Sequence, residues 1–238
     1  MNNKPFNLEE FFAPYKEFLE KSGPARLNYY KYVIEKLVNL NRPITVVETG
    51  TMWSSLEGNM GAFTYVFGDL IKNHTGGKLI TIDISEKNIN SCKESTKEFS
   101  DAIEYVISDS VTYLKSLSDE EVQKIDFIYF DSYDLSVPDP IPSQLHHYRE
   151  LDAVYNRLSQ NVYLAVDDNF LPGGWIEWWT IDNNGDVIDK TRYDVGPHRV
   201  LGKGTLIDCF LLCSGWKRND ELLNLGHHHS YILGYERI

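Results

Sequence analysis

The feature that most constrains the fold of this sequence is a repeated alternation of short apolar runs with longer stretches of helical spacing. Five runs suit buried strands, at residues 45–48, 78–84, 102–108, 125–130 and 161–166. The stretches between them repeat apolar residues every three or four positions. Strands and helices that alternate in this way form right-handed crossovers. The sequence therefore predicts an α/β domain with a mainly parallel sheet and helices on both faces.

The segments outside this alternation complete the predicted domain. Residues 8–22 and 25–40 predict two N-terminal helices joined at Gly23-Pro24. Asn184-Gly185, between two short runs, predicts an inserted β-hairpin. A helix over 202–216 and two antiparallel strands, "ELLNL" and "HSYILGYERI", are predicted to close the chain. The predicted single domain, 1–238, comprises N-terminal helices (1–42), a cofactor-binding core (43–169), the hairpin insertion (170–200) and the C-terminal helix and strands (201–238).

Charge and composition narrow the classes of function. The 238 residues carry a formal net charge of -12, which disfavours nucleic-acid binding because phosphate contacts need clustered Lys and Arg. The opening residues lack the pattern of a signal peptide, and no apolar run approaches the length of a membrane span. Three cysteines make no disulfide framework. We therefore expect a cytoplasmic protein with no nucleic-acid or membrane partner, and a homo-oligomer is compatible with the sequence.

Acidic residues follow the predicted strands at the positions where open parallel sheets bind ligands. They are Glu48, Asp83, Asp131 and the pair Asp167-Asp168. Gly50 lets a ligand approach the backbone closely, and a carboxylate such as Asp83 can accept hydrogen bonds from both hydroxyls of a ribose. The alternative for each acid alone is that it caps a loop or helix.

The glycine pattern bears on the type of ligand. A dinucleotide site needs G-x-G-x-x-G, but here Gly58 and Gly61 lie too far from Gly50 to complete it. An acid at the entrance of the loop would also repel a pyrophosphate. The loop therefore suits a nucleoside without phosphates.

The order of these motifs resembles that of class I S-adenosylmethionine-dependent methyltransferases. The resemblance covers about Ile44 to Trp216 and consists of E-x-G after the first strand, Asp83 after the second, "SDS" after the third and "FDSYD" after the fourth. It implies a Rossmann-like seven-stranded sheet and S-adenosylmethionine as cofactor. The cofactor-binding residues that it implies are Glu48 and Gly50 along the methionine part, Thr51, Ser54 and Ser55 in the loop, Asp83 on the ribose, Ser108 and Asp109 near the adenine, and Asp131.

"FDSYD" and "VDDNF" are also similar to motifs of metal-dependent O-methyltransferases of the catechol and caffeoyl-CoA kind. That resemblance implies Mg²⁺ or a similar divalent cation bound by Asp131, Asp168 and Asn169. The sugar O-methyltransferases of macrolide biosynthesis are similar too, and by that alignment Asp167 replaces Asn169 as a ligand. The alternative is that these residues cap loops and helices.

Two residues are candidate proton acceptors. Asp134 stands where both related families have Lys or His, and it could take the proton or join the metal shell. His146 and Glu150 lie four apart on a predicted helix, so the carboxylate could orient the imidazole. His147 would point elsewhere, and "GHHH" (226–229) is predicted to be a turn. Trp175, Trp178 and Trp179 could line an acceptor pocket or pack the hairpin.

The predicted function is metal-assisted methyl transfer from S-adenosylmethionine to a hydroxyl of a small molecule. Coordination to a divalent cation would lower the pKa of that hydroxyl. A non-catalytic nucleoside-binding or scaffold protein of the same fold is the alternative. An NAD-dependent oxidoreductase is less favoured because the phosphate-binding glycines are missing.

Overall fold

The computed structural model describes residues 6–22, 24–53, 62–170, 173, 175–181, 187–196, 200–219 and 231–237. Its helices are α1 (Leu8–Phe12), α2 (Lys16–Ser22), α3 (Pro24–Val38), α4 (Phe63–Leu70), α5 (Glu86–Ser95), α6 (Ser110–Ser116), α7 (Asp119–Gln123), α8 (Ile141–Val154) and α9 (Thr205–Leu212). Its strands are β1 (Ile44–Thr49), β2 (Gly77–Asp83), β3 (Ile103–Ile107), β4 (Phe127–Phe130), β5 (Tyr163–Phe170), β6 (Trp175–Ile181), β7 (Val187–Asp194), β8 (Leu201–Gly202), β9 (Trp216–Arg218) and β10 (Tyr231–Arg237).

The central sheet has the strand order β3-β2-β1-β4-β5-β10-β9. The first five strands pair in parallel, and β10 runs antiparallel to both of its neighbours. This confirms the predicted α/β sheet with an antiparallel end. The short strand β8 also pairs with β5, so the described sheet has eight strands where seven were predicted.

Two apolar cores cover the two faces of the sheet. Phe127 and Tyr129 of β4 belong to the core that includes α3 and α4, and Ile128 and Phe130 belong to the core that includes α6, α8 and α9. Successive side chains of a strand point to opposite faces, so a run of apolar residues in one strand supplies both cores. The predicted burial of both faces by helices is confirmed.

The N-terminal segment differs from the prediction. Residues 8–22 were predicted to be one helix, but they form α1 and α2, separated by a turn at Ala13–Tyr15. Pro14 explains the interruption, because proline has no backbone N–H to continue the helix and restricts the residue before it. The helix α3 begins at Pro24, in the position where proline is tolerated.

The second half of the chain confirms the hairpin and changes two boundaries. The strands β6 and β7 form a separate antiparallel pair, and the predicted turn at Asn184-Gly185 lies outside the described residues. The strand β5 continues through Asp167 and Asn169, which were expected to follow it. The strand β10 lies between β5 and β9. The segment "ELLNL", which was predicted to be its antiparallel partner, lies outside the described residues, as does "GHHH".

None of the helices in the described part of the chain is long and apolar enough to cross a membrane.

Candidate active site

A cavity of about 570 Å³ opens at the carboxyl ends of the parallel strands. It includes the ends of β1 and β4, the neighbours between which the strand order reverses. Ligands bind at this switch point in open α/β sheets. The predicted site residues that line the cavity are Glu48, Gly50, Thr51, Asp83, Asp131, Asp134 and Asp168.

Gly50 is required at the end of β1 because the chain there is left-handed and tightly packed. Its φ is 77°, and its N–H donates to the carbonyl oxygen of Ile82 at 2.8 Å. A Cβ atom at this position would lie 2.4 Å from the carbonyl oxygen of Asp131. Only glycine therefore allows the loop after β1 to lie directly against the end of β4.

Glu48 is buried, with 4% of its surface exposed. Its Oε2 atom accepts hydrogen bonds from the hydroxyls of Thr64 at 2.6 Å and Thr81 at 2.7 Å. Burial raises the pKa of Glu48 to about 8, with a further contribution from the charges of Asp131 and Asp83, although the two threonines lower it. Glu48 is therefore mostly protonated at neutral pH in the free protein.

Asp83 ends β2 and faces the cavity with its carboxylate partly exposed. Its Oδ1 accepts a hydrogen bond from the backbone N–H of Ser85 at 2.7 Å, and its Oδ2 accepts one from Thr51 N–H at 3.3 Å. The amide of Asn88 also donates to Oδ2, at 3.2 Å. These bonds fix the carboxylate at the junction between the loop after β1 and the start of α5.

Ser108 and Asp109, which were predicted to lie near the adenine, are not among the described residues that line the cavity. Asp109 is the N-cap of α6, and its Oδ1 accepts from both the N–H and the hydroxyl of Thr112 at 2.8 Å. Burial alone would raise the pKa of Asp109, but the bonds from Thr112 outweigh burial and lower it. The hydroxyl of Ser108 donates to the carbonyl oxygen of Asp109. Ser54 and Ser55 lie outside the described residues.

Asp131 and Asp168 are brought together as predicted, but a lysine lies between them. The Nζ atom of Lys203 is 2.5 Å from Oδ1 of Asp131 and 3.0 Å from Oδ2 of Asp168. Only 1% of the Lys203 side chain is exposed, against 32% and 34% for the two carboxylates. This ammonium group was not predicted from the sequence.

The pKa values in this cluster follow from burial and from these contacts. Burial and the neighbouring aspartates raise the pKa of Asp131 above its ordinary value, and Lys203 opposes this effect. Burial would also raise the pKa of Asp168, but Lys203 and Arg26 outweigh it and lower the pKa. Burial would lower the pKa of Lys203, but the carboxylates raise it above its usual value. Lys203 is therefore charged at any physiological pH.

Asp167 is held away from the cavity by a second cation. Arg26 of α3 donates to Oδ2 of Asp167 from Nε at 3.0 Å and from Nη2 at 2.8 Å. The hydroxyl of Tyr129 donates to the same oxygen at 2.5 Å. Asp167 is 1% exposed, so its role in the structure is to anchor α3 to β5.

The side chain of Asn169, the third predicted metal ligand, makes hydrogen bonds to backbone groups. Its Oδ1 accepts from the N–H of Gly204 at 2.7 Å, and its Nδ2 donates to the carbonyl oxygens of Val166 and Asp167 at 2.9 Å each. Within the described residues, no group of three or more His, Cys, Asp or Glu side chains is arranged to hold a metal ion. Because Lys203 also takes the position between Asp131 and Asp168, the residues present do not fit a resident divalent cation.

The two candidate proton acceptors are placed differently. Asp134 is exposed and lines the cavity. The Nε2 atom of His146 is 3.0 Å from the hydroxyl of Ser110 and 3.5 Å from Oε1 of Glu150, and this histidine is not among the residues that line the cavity. The predicted contact with Glu150 is confirmed.

His147 is fully buried, and burial lowers its pKa to about 4. Its Nδ1 donates to the carbonyl oxygen of Ser143 at 2.7 Å. Of the two adjacent histidines, neither lines the cavity.

Several residues that line the cavity were not predicted from the sequence to belong to the site, among them Arg26, Trp53, Ile84, Asn88 and Lys203. For Lys203 the available signal was its position between two glycines in "GKGT". For Arg26 it was the start of a helix directly after Gly23-Pro24. Neither signal reveals which acid the side chain meets.

No protein-family model matches the sequence, and no curated protein matches it significantly. Solved structures do. The structure of DhpI in complex with SAH has a TM-score of 0.51 at 15% identity, over 97% of this chain and 91% of that one. The glycopeptide N-methyltransferase MtfA with S-adenosyl-L-methionine has a TM-score of 0.48 at 12% identity, over 86% of each chain. An O-methyltransferase from Bacillus cereus in complex with SAH has a TM-score of 0.41 at 14% identity, over 68% of this chain and 70% of that one.

The likeness to DhpI concerns the fold alone, and the two lower scores add nothing to it. Together with the strand order, it confirms the predicted Rossmann-like fold, a mainly parallel α/β sheet with an antiparallel end.

Proposed function

We propose that the chain is an S-adenosylmethionine-dependent methyltransferase that acts on a hydroxyl group of a small molecule. One observation carries the proposal: Glu48, Gly50 and Asp83 line a single cavity at the switch point of a sheet with the methyltransferase fold. They belong to the first two of the four motifs that carry the resemblance in sequence.

The cavity offers a fitting group for each part of the cofactor. The carboxylate of Asp83 can accept hydrogen bonds from the ribose hydroxyls. Ile84 and Trp53 line the cavity with 75% and 61% of their surface exposed, and they give an apolar surface to the base. Gly50 lets the methionine part of the cofactor approach the backbone closely.

The proposed reaction is a single displacement. The acceptor oxygen attacks the methyl carbon, the new C–O bond forms as the C–S bond breaks, and the electron pair of that bond remains on sulfur. We assign the proton of the hydroxyl to Asp134, because of the two predicted acceptors it is the one that lines the cavity. Assistance by a divalent cation would require Lys203 to leave its position between Asp131 and Asp168.

Two other functions make different predictions for binding. An NAD-dependent oxidoreductase would bind NAD⁺, but the loop lacks the glycines of a pyrophosphate site. A non-catalytic nucleoside-binding protein would bind the cofactor and methylate no acceptor.

Calorimetric titration with S-adenosylhomocysteine tests the proposal. We expect micromolar binding to the wild type and no binding of NAD⁺. Asp83→Asn should weaken S-adenosylhomocysteine binding at least about tenfold, since it removes charge-assisted hydrogen bonds to the ribose. The matched control is Glu86→Gln, an exposed acid three residues away that does not line the cavity.

A second step separates the enzyme from a scaffold. Transfer of a labelled methyl group from S-adenosylmethionine is measured against a panel of sugars, phenols and amines. Transfer to hydroxyl compounds that is lost in Asp134→Asn supports the proposal. Equal binding of S-adenosylhomocysteine by wild type and Asp83→Asn, or transfer to amines alone, would contradict it.

A further inference from the structure

Lys203 occupies the position in which a divalent cation would bridge two carboxylates. Its Nζ atom contacts Asp131 and Asp168 at 2.5 and 3.0 Å, at the carboxyl ends of the neighbouring strands β4 and β5. A metal ion bound to the same two oxygens would lie about 2.0–2.1 Å from each if it were Mg²⁺, and so in the same space. One site cannot hold both cations.

The backbone around Lys203 fixes this position. The N–H of Lys203 donates to the carbonyl oxygen of Asp168 at 3.2 Å. A Cβ atom on Gly202 would lie 2.4 Å from that same oxygen, so only glycine lets the chain pass this close to β5. On the other side, the N–H of Gly204 donates to Asn169 at 2.7 Å. The lysine is therefore held on a turn that is attached to β5 on both sides.

The electrostatic balance also depends on this ammonium group. Lys203 is 1% exposed, and a buried lysine is stable as a cation only when it is paired. Among the described residues, the two carboxylates are the ion-pair partners of its Nζ atom.

We propose that Lys203 is the resident cation of this cavity, in place of a divalent metal ion. Its charge holds Asp131 and Asp168 together. The proposal concerns cation binding and does not depend on the methyl-transfer reaction.

Binding of Mn²⁺ provides a direct test, followed by electron paramagnetic resonance of the free ion. We expect no binding to the wild type at micromolar Mn²⁺, and the same for Lys78→Met, an exposed lysine paired with Glu104. Lys203→Met nearly keeps the length of the side chain and removes the ammonium group from between the two carboxylates, leaving Arg26 at 3.4 Å from Asp168. Its affinity for Mn²⁺ should therefore rise at least about tenfold. Micromolar binding to the wild type that is lost in Asp168→Asn would overturn the proposal.

Thermal unfolding gives a second readout that needs no metal. Lys203→Met removes the cation that lies between two partly buried carboxylates, and its Tm should fall by roughly 10 °C. Adding Asp168→Asn to this variant removes one of those charges and should restore at least half of the loss. A Lys203→Met variant as stable as the wild type would contradict the proposal. Failure of S-adenosylhomocysteine to bind would refute the proposed function but leave both of these tests intact.

Discussion

Gly50 and Gly173 share a left-handed backbone but differ in their surroundings. Their φ angles are 77° and 80°. A Cβ atom on Gly50 would meet the backbone of Asp131 at 2.4 Å, whereas one on Gly173 would meet no atom of the described residues within 4 Å. The two glycines therefore separate the cost of the backbone conformation from the cost of contact with β4.

We expect Gly50→Ala to abolish binding of S-adenosylhomocysteine and to destabilise the fold more than Gly173→Ala. The second variant should lose only about 1–2 kcal/mol, the usual cost of a left-handed residue with a side chain. The first must also displace the backbone at the end of β4, where Asp131 is held. Calorimetric titration with S-adenosylhomocysteine measures the loss of binding in both variants, and thermal unfolding measures the loss of stability. Equal losses in the two would mean that the loop after β1 has room to move.

Glu48 makes the stability of the protein depend on pH in a definite direction. Its pKa is about 8 in the folded protein, against an ordinary value of 4.5. Between these values the unfolded chain releases a proton that the folded chain keeps. The free energy of unfolding therefore falls as pH rises, by about 1.4 kcal/mol per pH unit, and the contribution of Glu48 is fully present only below pH 4.5.

Glu48→Gln should remove this dependence, because glutamine can accept the same hydrogen bonds from Thr64 and Thr81 and carries no proton to lose. Its Tm relative to wild type should rise by roughly 3 to 5 °C per pH unit between pH 5 and 8. Glu86→Gln, at an exposed site, should show no such slope. A constant difference in Tm across this range would mean that Glu48 is ionised in the folded protein.

At the scale of the elements, the sequence predicted those features that depend on residues close together in the chain. The alternation of strands and helices follows from the spacing of apolar residues. The short helix α7 was missed, although Ser118 and Glu121 form a capping box that the sequence shows. The break at Pro14 was likewise visible in the sequence. Both features therefore follow from residues close together in the chain, a capping box and a proline.

Other differences depend on partners far away in the chain. The strand β5 continues through Asp167 because Arg26, 141 residues earlier, neutralises a carboxylate that would otherwise end the apolar run. The metal prediction similarly grouped Asp131, Asp168 and Asn169 by strand position. It could not include Lys203, which lies 72 residues from Asp131. The sequence identified which acids meet at the sheet edge, but not which cations neutralise them.

At the scale of the whole molecule, the described side chains of the hairpin β6–β7 belong to neither of the two cores. It forms its own two-stranded sheet, and none of its described side chains is buried. Its base is closed by the N–H of Gly173, which donates to the carbonyl oxygen of Val195 at 3.2 Å. The buried residues Val195 and Val200 then lead the chain back to β8. This arrangement makes the hairpin a separable insertion between β5 and β8.

Replacing residues 174–194 by a short turn of glycine and asparagine should therefore leave the fold intact. We expect a change in Tm within about 5 °C, since an isolated two-stranded hairpin contributes little stability of its own. Affinity for S-adenosylhomocysteine should be unchanged, because the cavity lining that carries the proposal, Glu48, Gly50 and Asp83, lies on β1, β2 and the loop between them. Loss of cofactor binding, or a large fall in Tm, would show that the hairpin packs against the core. If binding persists and methyl transfer is lost, the hairpin contributes to the acceptor side of the site.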